Sequence, residues 1–316
     1  ESRPIKKIIR NTYLKSGVTQ KYYALANKVR LKYEDLLLHL SPVQFSKFRY
    51  RKLFNRKLNL LLPNTYSEKL IWLNLYWKHP LKAECGDKYT MRAYVQKHGY
   101  NNILPELFGV YNKSSEIDFA ALPQKFVLKC THGCGFNIIC TNKNHFDTAR
   151  ATQLLDTWLK TDYSKNAGEL HYAAMTPRII CEEFLEGLSG KQPTDFKFFC
   201  FNGKAFCVLV ATDRDLEGHT DKYDFYDLNW NKLPYYKSSL NSERLTPKPA
   251  ALQEMIEIAE TLSKPFPFVR MDLYDIHGKA MLGEMTFTPA GCMSPGLTDV
   301  AQNTWGSLIT LPAPVA

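Results

Sequence analysis

The segment Val269-Arg-Met-Asp-Leu constrains this chain more than any other, because it plants two charges inside an apolar run. Read as a strand, its period of two puts Arg270 and Asp272 on one face and Val269, Met271 and Leu273 on the other. After a turn around His277-Gly278 the run 280–287 returns, with Glu284, Thr286 and Thr288 sharing a face. With the turn centred near His277, Arg270 falls about opposite Glu284, and Asp272 lies diagonal to Glu284 at ~7–8 Å between Cα atoms. Unpaired carboxylates on a half-buried sheet are costly and must be compensated. A hard divalent cation with nucleotide phosphates is one compensation, and an Arg–Asp–Glu ion-pair network without a catalytic role is the other. Spacing alone leaves both open.

The rest of the chain supplies a frame for that hairpin. Apolar residues recur at three and four from Ile5 to Leu40, with Lys and Arg on the other side, so the first 60 residues read as mostly helical. The tract opening at Ser67 and the stretch from Asp87 to Lys97 read as two further capped helices. Phe126-Val-Leu-Lys-Cys and Asn137-Ile-Ile-Cys are short β-rich runs flanking Thr131-His-Gly-Cys-Gly-Phe, and a helix around Leu154, Leu155 and Trp158 follows, giving a small hairpin-plus-helix lobe. Asn202-Gly203 between two apolar runs predicts a β-hairpin. The Tyr-rich stretch 212–249 reads as a long loop. Helix periodicity returns at Leu252–Leu262, and the order of elements favours an α+β enzyme with a small lobe set against a larger one.

Charge is unevenly spread. The 316 residues carry a formal +10, yet residues 1–60 alone hold 15 Lys and Arg against three acids, a local +12, which leaves −2 for the remainder. A basic arm joined to a near-neutral body fits an anionic surface or an acidic ligand better than a nucleic-acid-binding enzyme, so no nucleic acid is expected. No apolar stretch approaches the ~18–20 residues that cross a bilayer. The opening Glu1-Ser-Arg-Pro-Ile-Lys-Lys lacks the apolar centre of a secretory signal, and eight cysteines scattered through apolar segments suit reduced thiols, so a cytoplasmic protein is expected.

Lys129 ends an apolar strand just before a glycine-containing loop, an arrangement that brings backbone N–H groups and a point charge against phosphate; a β-turn with a solvated Lys is the alternative. Neither a G-x-x-x-x-G-K-[ST] loop nor a complete G-x-G-x-x-G is present, which argues against Walker and Rossmann enzymes. Cys130, His132, Cys134 and Cys140 lack the paired spacing of a zinc site. No G-x-S-x-G marks a nucleophile elbow.

Five segments taken together, Asp87-Lys-Tyr-Thr-Met-Arg-Ala-Tyr-Val, Lys125-Phe-Val-Leu-Lys-Cys-Thr-His-Gly-Cys-Gly, Cys181-Glu-Glu-Phe-Leu-Glu, Asp195-Phe-Lys-Phe-Phe-Cys-Phe-Asn-Gly and Phe268-Val-Arg-Met-Asp-Leu-Tyr with Gly283-Glu-Met-Thr-Phe, resemble the ATP-grasp superfamily. Within it they resemble the TupA-like branch associated with teichuronopeptide and surface-polysaccharide synthesis. The resemblance runs from about residue 66 to 300. It implies an α+β ATP-grasp fold, two subdomains clasping ATP, behind a basic helical extension: 1–65 extension, 66–125 N-terminal and central subdomain, 126–183 small ATP-binding lobe, 184–316 C-terminal subdomain with the metal-binding hairpin.

By motif, the resemblance makes Lys88 and Lys129 the nucleotide-phosphate lysines, and Thr131, His132, Gly133 and Gly135 part of a lid over the phosphates. Glu182, Glu183 and Leu185 become the hinge that meets adenine and ribose. Asp272 and Glu284 match the Mg²⁺ carboxylates, Thr286 replaces the usual metal-site Asn, and Arg270 matches the arginine that stabilises the transferring phosphoryl group. Asp195 and Lys197 fall near the phosphates, and Arg214 near the γ-phosphate or the acceptor carboxylate. The implied activity is carboxylate–amine ligation using ATP and Mg²⁺. A uronic acid on a glycan precursor would be activated as an acyl-phosphate and joined to an amino acid or another amine. Its alternatives are a phosphotransferase or glycan-modifying transferase, and a non-catalytic adaptor of a polysaccharide-assembly complex. Residues 1–60 are expected either to rest on the anionic inner face of the cytoplasmic membrane or to receive an acidic glycan precursor.

Overall fold

The computed structural model describes residues 32–165, 168–187, 193–212, 222–242 and 245–313. Of the basic extension, residues 32–40 are helical and are followed by α1 (Pro42–Phe54), whose Ser41 cap accepts from the Gln44 N–H. The earlier part of the extension lies outside the described residues.

Helix α2 (Tyr66–Tyr76) is capped by Thr65, earlier than the Ser67 expected from the sequence. Thr65 forms a reciprocal capping box with Glu68, whose carboxylate also gathers the N–H groups of Asn59 and Asn64. The helix is also not amphipathic. From Tyr66 to Leu75 every residue except Lys69 is buried, so this helix runs through the core. Short helices α3 (Pro80–Gly86) and α4 (Thr90–Lys97) follow, with Asp87 Oδ1 accepting from the N–H groups of Tyr89 and Thr90.

Two antiparallel sheets carry the remainder. The smaller has the order β1 (Leu107–Tyr111), β4 (Ile179–Glu183), β2 (Phe126–Cys130), β3 (Asn137–Cys140). Helix α5 (Thr148–Leu159) buries Ala151 and Leu155 beside this sheet, whose core is built from Phe126, Leu128, Ile179 and Cys181. The larger has the order β10 (Lys279–Thr286), β9 (Phe268–Ile276), β5 (Asp195–Phe201), β6 (Lys204–Thr212), β7 (Lys222–Tyr226), β8 (Lys232–Leu233). Helix α6 (Leu252–Ser263) covers it, and Trp305 of α7 (Asp299–Leu308) is fully buried among Tyr66, Phe199, Phe225 and Tyr235, with ring centroids 4.8–5.3 Å away.

Both expected hairpin turns place positive φ at two successive residues, Asn202 (47°) and Gly203 (79°), then His277 (54°) and Gly278 (84°), the geometry that matches strand twist. The stretch after residue 212 is not simply a loop. Lys222-Tyr-Asp-Phe-Tyr forms β7, because its tyrosines and phenylalanine are good strand formers and its one acid, fully buried Asp224, pairs with Lys232 at 2.7 Å. Seven cysteines are buried free thiols, whereas Cys134 in the glycine loop is exposed.

Candidate active site

Three neighbouring strands of the larger sheet set one row of charge. Lys197 on β5 pairs directly with Asp272 on β9, and Asp272 pairs directly with Glu284 on β10. This differs from the register expected from the sequence. A bulge between Leu282 and Glu284 shifts the return strand, so Glu284 faces Asp272 and Thr286 faces Arg270. One extra residue on a strand is invisible to a period-two count, and its effect is to bring the two carboxylates directly opposite each other.

The row is densely bonded. Lys197 Nζ donates to Asp272 Oδ2 at 2.5 Å and to the Asp195 carboxylate. The Arg270 guanidinium holds Asp272 through two bonds, 2.6 and 2.7 Å, and its Nη2 also reaches Glu284 Oε1 at 3.3 Å and Thr286 Oγ1 at 3.2 Å. Thr286 donates to Glu284 at 2.9 Å. The Asp272 side chain is 2% exposed and that of Glu284 30%, so Glu284 stands on the open side.

Burial pushes the Asp272 carboxyl up to about 6, against the pull of Arg270 and Lys197. Burial works on Glu284 too, but Lys88, Arg270 and Lys197 outweigh it and hold that carboxyl down at about 2. Burial likewise opposes the charge on Lys197, and Asp195 and Asp272 more than restore it, leaving its ammonium above the ordinary lysine range. Glu284 is thus an ionised carboxylate on the open side of the row.

The smaller sheet carries a second cluster. Glu182 on β4 is buried between Lys129 Nζ, 2.6 Å away, and Arg92 Nη1, 3.1 Å away. Arg92 also donates to the Pro105 carbonyl at 2.7 Å. Of the two acids expected at the hinge, Glu182 has its carboxylate paired with these cations and Glu183 is exposed. Leu185, just past β4, is half-buried.

Lys88 ties the start of α4 to the glycine loop. Its Nζ donates to the Gly133 carbonyl at 2.5 Å and its backbone N–H to the Thr131 carbonyl at 3.3 Å. At Gly133 a Cβ would lie 2.8 Å from both Phe136 and Tyr163, and Gly135 has φ +76°, so glycine is required at both for reasons of shape. The loop's other members turn inward. Thr131 is fully buried, and His132 is buried beside Phe136 with Nε2 3.1 Å from the Trp158 carbonyl. Arg214 lies outside the described residues.

Two participants carried no usable sequence signal. Arg92 sits among ordinary helix residues. Glu169, just before a short helical turn, is buried against the Thr288 hydroxyl, and burial raises its carboxyl above the usual range, with Glu284 adding to the rise.

Among the described residues no three His, Cys, Asp or Glu side chains are grouped to hold a metal on their own. Mg²⁺ does not require that, since it takes one or two carboxylates together with water and substrate phosphates. Asp272, Glu284 and Thr286 already gather three oxygens around a single cationic nitrogen, Arg270 Nη2, so the donor set fits a hard cation.

A family model described as TupA-like ATPgrasp matches residues 68–308. No curated protein matches the chain. Among solved structures it is similar to a D-alanine–D-alanine ligase from Bacillus anthracis complexed with ATP (13% identity, 76% of this chain and 61% of that one, TM-score 0.38). It is also similar to a D-alanine–D-alanine ligase from Helicobacter pylori (12%, 72% and 59%, TM-score 0.40) and to the D-cycloserine synthetase DcsG (15%, 72% and 70%, TM-score 0.40). The chain thus spans about 60% of the length of the two D-alanine ligases.

Proposed function

We propose an activity for this chain, which belongs to the TupA-like ATP-grasp family and has its fold: ATP-dependent ligation of a carboxylate to an amine. The observation that carries the reading is the row Lys197–Asp272–Glu284 with Arg270 bridging it. The division of the chain at residues 65, 125 and 183 is proposed on the same footing.

In this reading the two clusters divide the nucleotide between them. The smaller sheet and its loop, with two cations around one carboxylate and Lys88 nearby, offer positive charge to phosphates. Glu183 and Leu185 border the adenosine. The larger sheet offers Asp272, Glu284 and Thr286 to Mg²⁺. That ion, when bound, neutralises charge on the β- and γ-phosphates.

The chain's own groups do the rest. Arg270 and Lys197 stay protonated because the carboxylates around them stabilise their charge, so both remain cationic while the γ-phosphoryl group passes in line from ATP to the substrate carboxylate and ADP leaves. Asp195 fixes the position of Lys197. The loop 131–136 excludes water from the acyl-phosphate, and an amine then attacks its carbonyl carbon, releasing phosphate and leaving an amide. The substrates we favour are a uronic acid of a surface-polysaccharide precursor and an amino acid. The setting we favour is the cytoplasm, with residues 1–60 against an anionic membrane face.

ADP release measured over a matrix of carboxylates and amines, with product masses, tests this. Release that needs both a uronic acid and an amine, with an amide product, is expected. Phosphate retained on the product would instead make the enzyme a phosphotransferase. ATP turnover indifferent to every carboxylate would end the ligase reading.

A further inference from the structure

The connection between α1 and α2 uses ordered hydrogen bonds to keep leucines in water. Leu61 is 89% exposed and Leu62 74%. Asn59 Oδ1 accepts from both of their backbone N–H groups, at 3.2 and 3.0 Å, which sets a tight turn. The Glu68 carboxylate braces both ends of the same loop, accepting from Asn59 N–H at 3.3 Å, Asn64 N–H at 3.0 Å and Thr65 N–H at 3.1 Å. A loose loop would fold such side chains back onto the body. This one is pinned with them pointing out, and Leu53 in the last turn of α1 is exposed as well. A fixed, protruding apolar pair is a marker of an interaction surface.

The charge around it selects the partner. Residues 47–69 contain seven Lys and Arg and one acid, and that acid, Glu68, is buried and already used by the loop backbone. Lys47, Arg51 and Lys57 are exposed; Lys52 and Arg56 reach Glu34 and Asp299. A second copy of the chain would bring this positive patch against itself. An anionic bilayer instead offers phosphate groups at the level of the basic side chains and acyl chains at the level of the leucines.

We propose that the 58–63 loop is a membrane wedge: Leu61 and Leu62 enter the acyl region of an anionic bilayer while Arg51, Lys57 and their neighbours lie against its headgroups. This deepens the peripheral contact proposed above and rests on that reading for the anionic surface. It adds an apolar anchor beyond residue 60, so that attachment is not electrostatic alone. The ligase chemistry can fail without touching it, because the test reads binding and not turnover.

The experiment is sedimentation of the full chain with vesicles of phosphatidylcholine and phosphatidylglycerol at three to one, for the parent, Leu61→Asp/Leu62→Asp, and Leu62→Trp. The expected results are at least a tenfold loss of vesicle affinity in the double aspartate variant with its melting temperature unchanged, and a blue-shifted emission for the added tryptophan only when vesicles are present. Parent protein that does not sediment with vesicles, or a double variant that binds as the parent does, would overturn the wedge. So would a tryptophan already blue-shifted without vesicles, since another part of the chain or a second copy would then cover the loop. Binding abolished by salt alone, with no emission shift in the bound state, would reduce the contact to charge and likewise remove the wedge.

Discussion

On the four-stranded sheet one carboxylate, Glu182, is enclosed by two cations, Arg92 and Lys129; on the six-stranded sheet Lys197 and Arg270 bond Asp272, and Glu284 stands beside it at an open edge. The first cluster has a spare positive charge and a buried centre. The second has an ionised carboxylate, Glu284, at an open edge. An internal ion pair whose charges balance can hold a fold together without a ligand. Spare positive charge suits a phosphate chain, and an ionised carboxylate at an open edge suits the divalent cation that accompanies one.

Substitutions that change charge without changing shape test this contrast. The largest effect is expected at Glu284→Gln and Asp272→Asn, which should each cost about 10²–10³ in kcat, the loss typical of a group that stabilises transition-state charge, while the protein stays folded. Single-turnover ADP release measures it. Near-parental rates would make the row a structural network and erase the distinction between the sheets.

Glu182→Gln should show the opposite balance. It leaves Arg92 and Lys129 without their anion, and breaking a buried pair costs about 3–5 kcal/mol of folding free energy. Urea denaturation would report that loss. Stability equal to the parent's, with ATP affinity lowered, would instead place Glu182 with the ligand-facing groups.

The two carboxylates of the row should also separate in pH. Glu284 is held at about 2, below its ordinary 4.5, so it contributes stability that is complete above about pH 4.5 and lost as pH falls through about 2. Asp272 is raised to about 6 from 3.8, so its ionisation costs stability as pH rises between those values. In melting curves from about pH 2 to 7, the parent's advantage over Glu284→Gln should vanish at the acid end, and Asp272→Asn should gain on the parent between about pH 4 and 6. Parallel curves throughout would mean that the row does not hold these charges as its geometry requires.

The smallest effect is expected at Thr286→Asn. It exchanges a hydroxyl for an amide oxygen on the open side of the row, and a few-fold fall in the Mg²⁺ concentration needed for half-maximal activity is expected. No change, or a rise, would place position 286 with Glu284 positioning and not with the metal.

Much of the second cluster was legible in the chain itself. A period of two is enough to put Arg270 and Asp272 on one face, and Glu284 and Thr286 on the facing strand, because side-chain direction in a strand depends only on the parity of position. Asn202-Gly203 and His277-Gly278 likewise announce their turns through residues that tolerate positive φ. What parity cannot give is the bulge at Gly283, which moved Glu284 opposite Asp272, or the pairing of β5 with β9 that brings Lys197 into the row. Those depend on which strands meet, a matter of contacts between residues 75 apart. Arg92 and Glu169 stayed hidden for the same reason: nothing local distinguishes a helix arginine or a loop glutamate until the neighbour it pairs with is in place. The basic arm and the alternating charges were therefore fixed by composition and period, whereas the division between a closed cluster and an open one was decided by packing, since charge balance is a property of what surrounds a residue in space.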